Sequence, residues 1–316
     1  MNAGTRIISV GHYQPARVLT NDELATMVDT NDTWIRERVG IVTRRIAAET
    51  ETVADMATAA ADKALAASGL AASDIDLVVV ATCTSADRSP NVACRVAAKL
   101  GIPAPAAYDI NTACSGFSYA LASADHAIRA GAARYAIVIG SEKLSAVVDW
   151  TDRSTCILVG DAAGAVVVGP TADGEAPGIG PVVWGSVPER SEAVRIEGWQ
   201  PVFSQEGQSV FRWATTTLAP LAMQACERAG VSPEEIFAFV PHQANARIIE
   251  GIAKRLNLPN AIIALDVVES GNTSAASVPL ALSKMVEQGQ IPSGAPVLLF
   301  GFGGGLTYAG QVVRCP

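Results

Sequence analysis

Residues Asn111 to Gly116, NTACSG, set one thiol among small neighbours, directly ahead of the apolar run Phe117 to Ala124. Free cysteine is among the most buried residue types, so packing is the ordinary role of such a residue. A cysteine at a helix start has a second use, because the partial positive charge there favours thiolate, the nucleophilic form. The chain holds only three histidines, His12, His126 and His242. His126 lies in the helical pattern YALASADHAIRAG and is expected on its surface or edge, while His12 sits where VGHYQP begins a turn. His242 follows an apolar strand and Pro241 and comes just before a helix, and ligands of α/β sheets gather outside the carboxyl ends of strands. Asn272, in ESGNTSAASVP, opens a helix, where asparagine is an ordinary N-cap. Gly303-Gly304-Gly305 ends a strand without the G-x-G-x-x-G spacing of a dinucleotide loop. Such a run lets backbone N–H groups come close to a ligand and donate to an oxyanion. Each signal is weak alone; their combination is specific.

These side chains need a large scaffold, and the composition allows one. The 316 residues are 49% apolar, rich in alanine and glycine and poor in aromatics, which suits closely packed layers of small and aliphatic side chains. A net charge of -8 argues against a general nucleic-acid or anionic-membrane binder while leaving room for a local basic patch. Six cysteines without paired spacing point to reduced thiols and a cytoplasmic protein, and no cysteine–histidine spacing suits a metal. The amino-terminal MNAGTRIISVG has no secretory apolar region, and the longest uncharged stretch, 288–313, is too broken by glycine and proline to span a membrane.

The elements come in duplicate. At an offset of 161 residues Asn111-Thr112 falls on Asn272-Thr273 and Gly140 on Gly301, with YAIVIG matching PVLLFG. Upstream, SDIDLVVVATC resembles SPEEIFAFVPH, which brings Cys83 near His242. Both copies read strand, loop, helix, strand, loop, helix, strand, so an α/β fold of two related halves is expected, residues 1–170 and 171–316. Cys114 lies in the region of its copy where Ser274 and Ala275 lie in theirs. A fold that needed a cysteine or histidine at these points would carry one in both copies; neither pair matches, which suggests chemistry.

With DTNDTWIRERVGI (29–41), NTACSGF, DWTDRSTCILVGDAAGA (149–165), PHQANARII (241–249), GNTSAASVP and GFGGG in this order, the chain resembles β-ketoacyl-acyl-carrier-protein synthase III, a condensing enzyme of the thiolase superfamily that starts fatty-acid synthesis. The resemblance implies a thiolase-like duplicated α/β fold layered α-β-α-β-α. It implies a ping-pong reaction in which Cys114 takes an acyl group from acyl-CoA and passes it to decarboxylated malonyl-acyl-carrier protein. His242 and Asn272 match the donors to the enolate oxygen, and the N–H groups of Cys114 and Gly304 match the oxyanion hole. Trp34 and Arg153 match residues that hold the CoA adenine between them, Arg38 a phosphate contact, and Thr30 and Asn245 their neighbours. Arg212, Arg247, Lys254 and Arg255 match a docking patch for an acidic carrier protein, the last three spaced i, i+7, i+8 on one helix face. By the same resemblance the enzyme is a homodimer using acyl-CoA as substrate, with no metal or other cofactor.

Some positions depart from the family pattern. Ser89 replaces a bulky aromatic before Pro90 that closes the acyl pocket, Gln205 replaces a methionine near the tunnel, and Ser154 replaces the glycine after the stacking arginine. A smaller side chain at 89 admits a longer or branched primer. A polyketide or secondary-metabolite priming synthase, or an acyltransferase of the same family, is the alternative. A biosynthetic thiolase needs a second cysteine for acid–base work, and Cys315, the penultimate residue, is badly placed for it. A catalytically dead partner subunit predicts loss of the nucleophile, and a carrier-binding module without chemistry makes all three residues incidental.

Overall fold

The structure, a computed structural model, describes residues 4–198 and 200–316, so Met1, Asn2 and Ala3 of the amino-terminal segment lie outside the described residues. Two five-stranded sheets carry the fold. The first runs Thr5–Tyr13, Asp161–Pro170, Ala136–Lys143, Leu77–Ala81, Ala106–Ile110 across its width. The second repeats that order with Val183–Ser186, Thr307–Arg314, Pro296–Gly303, Ala238–Pro241 and Ile262–Ile263. In each, three neighbouring strands pair in parallel and two more join through antiparallel ladders. The sequence pattern of strands alternating with helices describes the parallel part. The antiparallel return strands escape it: only Gly304, Gly305 and Leu306 separate Pro296–Gly303 from Thr307–Arg314, too short a link for a parallel crossover.

Leu77 to Ala81 are all buried, because helices cover both faces of their sheet. Helices Val53–Ser68 and Val92–Leu100 pack one outer face through Ala57, Ala60, Ala61, Ala64 and Val96 against Val78, Val80, Ile137 and Val167. Helices Gly116–Arg129 and Ser277–Glu287 fill the space between the sheets, where Phe117, Leu121, Val278 and Leu282 meet Val79, Val138, Val240 and Leu299. Helices Gly207–Ala229 and Ala246–Leu256 cover the far face with Trp213, Leu218, Ile248 and Ile252 on Phe239, Leu298 and Phe300. The result is the layered α-β-α-β-α arrangement. The chain leaves the first sheet at Pro170 and begins the second at Val183. No helix among the described residues is long and apolar enough to cross a membrane.

The duplication holds at the level of single residues. Leu77 pairs with Ala136 as Ala238 pairs with Val297, again 161 apart. The counterpart of His242 is therefore Ala81, and that of Cys83 is Ala244, which corrects the looser match made on Ser73 and Ser232 by two residues. His12 is also corrected: it lies within strand Thr5–Tyr13, with Nδ1 2.9 Å from Ser283 Oγ. His126 is exposed on its helix, its ring in a T-shaped pair with Trp184.

Each half builds a one-turn 3-10 helix directly ahead of its inner helix, Ala113–Ser115 before Gly116–Arg129 and Ser274–Ala276 before Ser277–Glu287. Both turns open on a non-glycine residue in the left-handed region, Ala113 at φ 46° and Ser274 at φ 47°. Both are braced alike, the Ala113 N–H donating to Asn111 Oδ1 at 3.2 Å and the Ser274 N–H to Asn272 Oδ1 at 2.8 Å. Each turn rests on a glycine of the other half's strand. A Cβ on Gly140 would lie 2.2 Å from Ala275 O, and one on Gly301 2.9 Å from Ser115 Cα. The halves are thus locked face to face at the turn that carries the thiol.

Candidate active site

Cys114 occupies the middle of its 3-10 turn, just ahead of helix Gly116–Arg129. Gly303 makes room for it: a Cβ there would lie 2.6 Å from Cys114 Cβ and 2.8 Å from Sγ. The counterpart of Gly303 in the first half is Glu142, fully buried beneath the opposite turn. Its carboxylate accepts from Thr82 Oγ1 (3.0 Å), Thr84 Oγ1 (2.5 Å), Ser274 Oγ (3.0 Å) and the Cys83 and Ala275 N–H groups. Burial pushes the Glu142 carboxyl above the usual carboxylate range. An acid inside the apolar strand AIVIGSEK was the signal for this residue, and sequence reasoning passed over it.

The expected acidic thiol is not found. Burial pushes the Cys114 thiol up to about 11, helped by the nearby Glu142 charge. Hydrogen bonding from Ser274 and from the N–H groups of Gly304 and Cys114 itself acts in the opposite direction and is outweighed. Desolvation of a charge in this tight junction exceeds what the end of a helix supplies.

His242 is 2% exposed, and burial lowers its pKa to about 3, so the ring is neutral at physiological pH. Its Nδ1 lies 2.7 Å from Ser277 Oγ, and the Phe302 ring packs against it in a T-shaped pair, 5.1 Å between centroids. Asn272 is not the N-cap of an α-helix, since the 3-10 turn intervenes and the helix begins at Ser277. Its Oδ1 accepts from the Ser274 N–H while Nδ2 has no hydrogen-bond partner among the described residues, and its backbone is held by Leu158 O at 2.7 Å and the Gly160 N–H at 2.9 Å. That segment is supported in turn by Arg44, a fully buried guanidinium donating to Ile157 O and Asn21 Oδ1.

One cavity of about 750 Å³ brings the candidate residues together. Cys114, His242, Asn272, Gly303 and Gly304 line its buried end; Trp34, Arg38, Arg153, Asn245, Arg212 and Arg247 line its exposed end. Among the described residues no ion pair engages Arg38, Arg212 or Arg247, so the cavity mouth is positive on a chain of net charge -8. Arg247 also lies over Phe211, 6.0 Å from its ring centre. Trp34 follows the N-cap Asn31, whose side chain accepts from its N–H at 2.8 Å. The Arg153 guanidinium stacks directly on Trp34 at 4.9 Å, held by Asp29 O at 2.7 Å. A flat ring between the two needs about 3.5 Å on each side, so they must part to admit one.

A smaller cavity of about 320 Å³ shares Cys114, Asn272, Gly304, Val194 and Phe203 with the first and extends to Cys83, Leu144 and Ile196. Several expected positions fall outside this arrangement. Ser89 is exposed and lines neither cavity of its own chain. Gln205 lines the larger cavity instead of the smaller one. Thr30 lines neither, and its buried Oγ1 has no hydrogen-bond partner among the described residues. Lys254 and Arg255 are exposed in the last turn of helix Ala246–Leu256, beyond the cavity lining that Arg247 reaches.

A cysteine, a neutral histidine and a free amide around one cavity, on a duplicated five-layer fold, define a condensing enzyme of the thiolase type. The chain belongs to the 3-oxoacyl-[acyl-carrier-protein] synthase III family. The family's model matches residues 108–188, and the model of its C-terminal part matches 226–315. The chain is 65% identical over 316 residues to β-ketoacyl-[acyl-carrier-protein] synthase III 4 of Streptomyces coelicolor, covering 100% of both. It is 48% identical over 322 residues to the mycobacterial β-ketoacyl-[acyl-carrier-protein] synthase III of Mycobacterium avium, covering 98% of this chain and 95% of that one. Among solved structures, the priming β-ketosynthase of the R1128 polyketide pathway superposes with a TM-score of 0.97 at 40% identity, covering 100% of this chain and 97% of that one. The synthase III of Aquifex aeolicus gives 0.93 at 42% identity, with 98% and 100% covered.

Proposed function

We propose that the protein elongates an acyl-CoA primer by decarboxylative Claisen condensation with malonyl-acyl-carrier protein, releasing CO2 and a β-ketoacyl-carrier protein. The observation that carries this reading is the single cavity that joins the Cys114 thiol to His242 and Asn272. Cys114 attacks the thioester carbonyl; its sulfur gains the acyl group and its proton ends on the departing CoA sulfur. The carbonyl oxygen of the acyl-enzyme lies toward the N–H groups of Cys114 and Gly304, and the acyl chain runs into the smaller cavity past Leu144, Val194 and Ile196. Malonyl-carrier protein then loses CO2, and the electron pair left behind forms an enolate. His242 and an Asn272 Nδ2–H donate to the enolate oxygen, each contributing about 3–4 kcal/mol. The enolate carbon attacks the acyl carbonyl, and the Cys114 thiolate leaves and takes from solvent the one proton that the condensation consumes, which restores the resting thiol. Every step is assigned to side chains and backbone of this chain, with no metal or redox group.

Trp34 and Arg153 part to stack the CoA adenine, and Arg38 with Asn245 meets its phosphates. The unpaired arginines support this assignment, and Arg212, Arg247, Lys254 and Arg255 extend the positive surface toward an acidic carrier protein. A homodimer in the cytoplasm completes the reading, supported by the exposed edge strand Ala106–Ile110, whose Tyr108 is 37% exposed. Ser89, exposed on its own chain, is available to a partner's acyl pocket in that dimer.

Intact-protein mass after incubation with acyl-CoAs from acetyl to branched and medium-chain, beside Cys114→Ala, tests the reading. The adduct should require Cys114 and clear with CO2 release when malonyl-carrier protein is added. An adduct that moves to an acceptor without CO2 loss makes the protein an acyltransferase, and no adduct with any donor makes Cys114 a packing residue. The close superposition on a priming β-ketosynthase favours one variant of the same chemistry, an unusual starter, which the best-loaded acyl chain identifies.

A further inference from the structure

In the first half Gly116 lies against Ala81, a Cβ built on Gly116 falling 3.0 Å from the Ala81 methyl. In the second half the same two places hold Ser277 and His242, and the contact becomes a hydrogen bond: Ser277 Oγ is 2.7 Å from His242 Nδ1. Ser277 is fully buried. A hydroxyl offers one hydrogen and two lone pairs. One lone pair accepts the Gln243 N–H at 3.2 Å. Among the described residues the hydroxyl hydrogen has no acceptor in reach except Nδ1. Were Nδ1 to carry the ring proton, Oγ would accept two N–H groups while its own hydrogen stayed buried without a partner, which native interiors avoid.

We propose that Ser277 is a positioning residue of the condensing reaction: by donating to Nδ1 it keeps the ring proton of His242 on Nε2, the nitrogen left to the cavity. The inference rests on the reading of His242 as donor to the enolate oxygen. Because burial holds the ring neutral, it has one proton to place, and the wrong tautomer would turn a lone pair toward the enolate. Asn272 is set in the same manner, its Oδ1 taken by the Ser274 N–H so that Nδ2 stays free. The Phe302 ring packs against the imidazole at an interplanar angle of 76° and carries no nitrogen or oxygen. Both donors are therefore aimed by one short segment, Ser274 to Ser277, which in the first half carries the nucleophile at the position of Ala275.

The test is 15N NMR of the enzyme labelled at its three histidines, at neutral pH, with wild type, Ser277→Thr and Ser277→Ala. The wild-type ring of His242, assigned by its loss in His242→Ala, should be protonated on Nε2. Ser277→Thr should keep that tautomer, and Ser277→Ala should shift it toward Nδ1. In step, Ser277→Ala should lower kcat for malonyl-carrier decarboxylation about tenfold or more, with Ser277→Thr restoring it. Acylation of Cys114, read by mass, reports whether each variant is folded; if Ser277→Ala is not, the wild-type and Ser277→Thr spectra decide. A wild-type ring protonated on Nδ1, or a folded Ser277→Ala that keeps both tautomer and rate, overturns the proposal. A His242→Ala enzyme that decarboxylates at the wild-type rate overturns instead the reading of His242 as donor.

Discussion

At Cys114 two forces compete: hydrogen bonds that favour thiolate and the burial that opposes it, and burial wins. The free enzyme thus holds a protonated thiol that becomes nucleophilic only as the substrate's carbonyl takes up charge near the Cys114 and Gly304 N–H groups. Space beside the sulfur is consequently as important as charge. Gly303→Ala places a methyl 2.8 Å from Sγ, and acylation should fall about a hundredfold or more, as for a reacting group displaced by an ångström. Gly304→Ala meets the Ala113 methyl at 3.1 Å and the Val194 side chain at 3.5 Å and should cost much less. Stopped-flow release of CoA measures both, and equal rates for the two variants would deny Gly303 its role. Cys114, His242 and Asn272 were legible in the sequence because residue type and chain order carry them. The direction of the thiol's pKa, Glu142 and Ser277 were not, since burial and cross-half contact appear only once the halves meet.

Short caps and turns do the positioning at the scale of elements. Helix Ala246–Leu256 starts on Asn245, whose side chain accepts from the Ile248 N–H at 2.9 Å while lining the substrate cavity. Structural and binding roles therefore meet in one side chain, and two substitutions separate them. Asn245→Ala should cost about 1 kcal/mol of stability and also raise KM for acyl-CoA. Asn245→Asp keeps the cap and the stability but brings a negative charge toward the phosphates, so KM alone should rise. Thermal unfolding beside steady-state kinetics separates the two, and an unchanged KM in both would remove Asn245 from the CoA site. The repeat was visible where Asn-Thr and glycine mark the turns. Ser73 and Ser232 lie 159 apart, two short of the true offset of 161, because small polar residues recur in loops without a fixed register. The return strand Thr307–Arg314 was hidden by the glycine run that makes its hairpin possible.

For the molecule as a whole, arginines left unpaired at one cavity mouth give an acidic protein a local attraction for anionic partners. At another edge, strand Ala106–Ile110 has no strand beyond it among the described residues, with Tyr108 exposed on it. In sedimentation the wild type should run as a dimer and Tyr108→Asp as a monomer; a monomeric wild type refutes the dimer. Between these surfaces lie the two left-handed turns, alike in backbone and unlike in what stands across from them. A sulfur grafted at Ala275 would inherit the same elbow, yet it would face the Glu142 carboxylate where Cys114 faces the vacancy left by Gly303. Duplication can copy the shape of a reactive elbow, then, but whether the copy is competent is decided one strand away, by its opposite number.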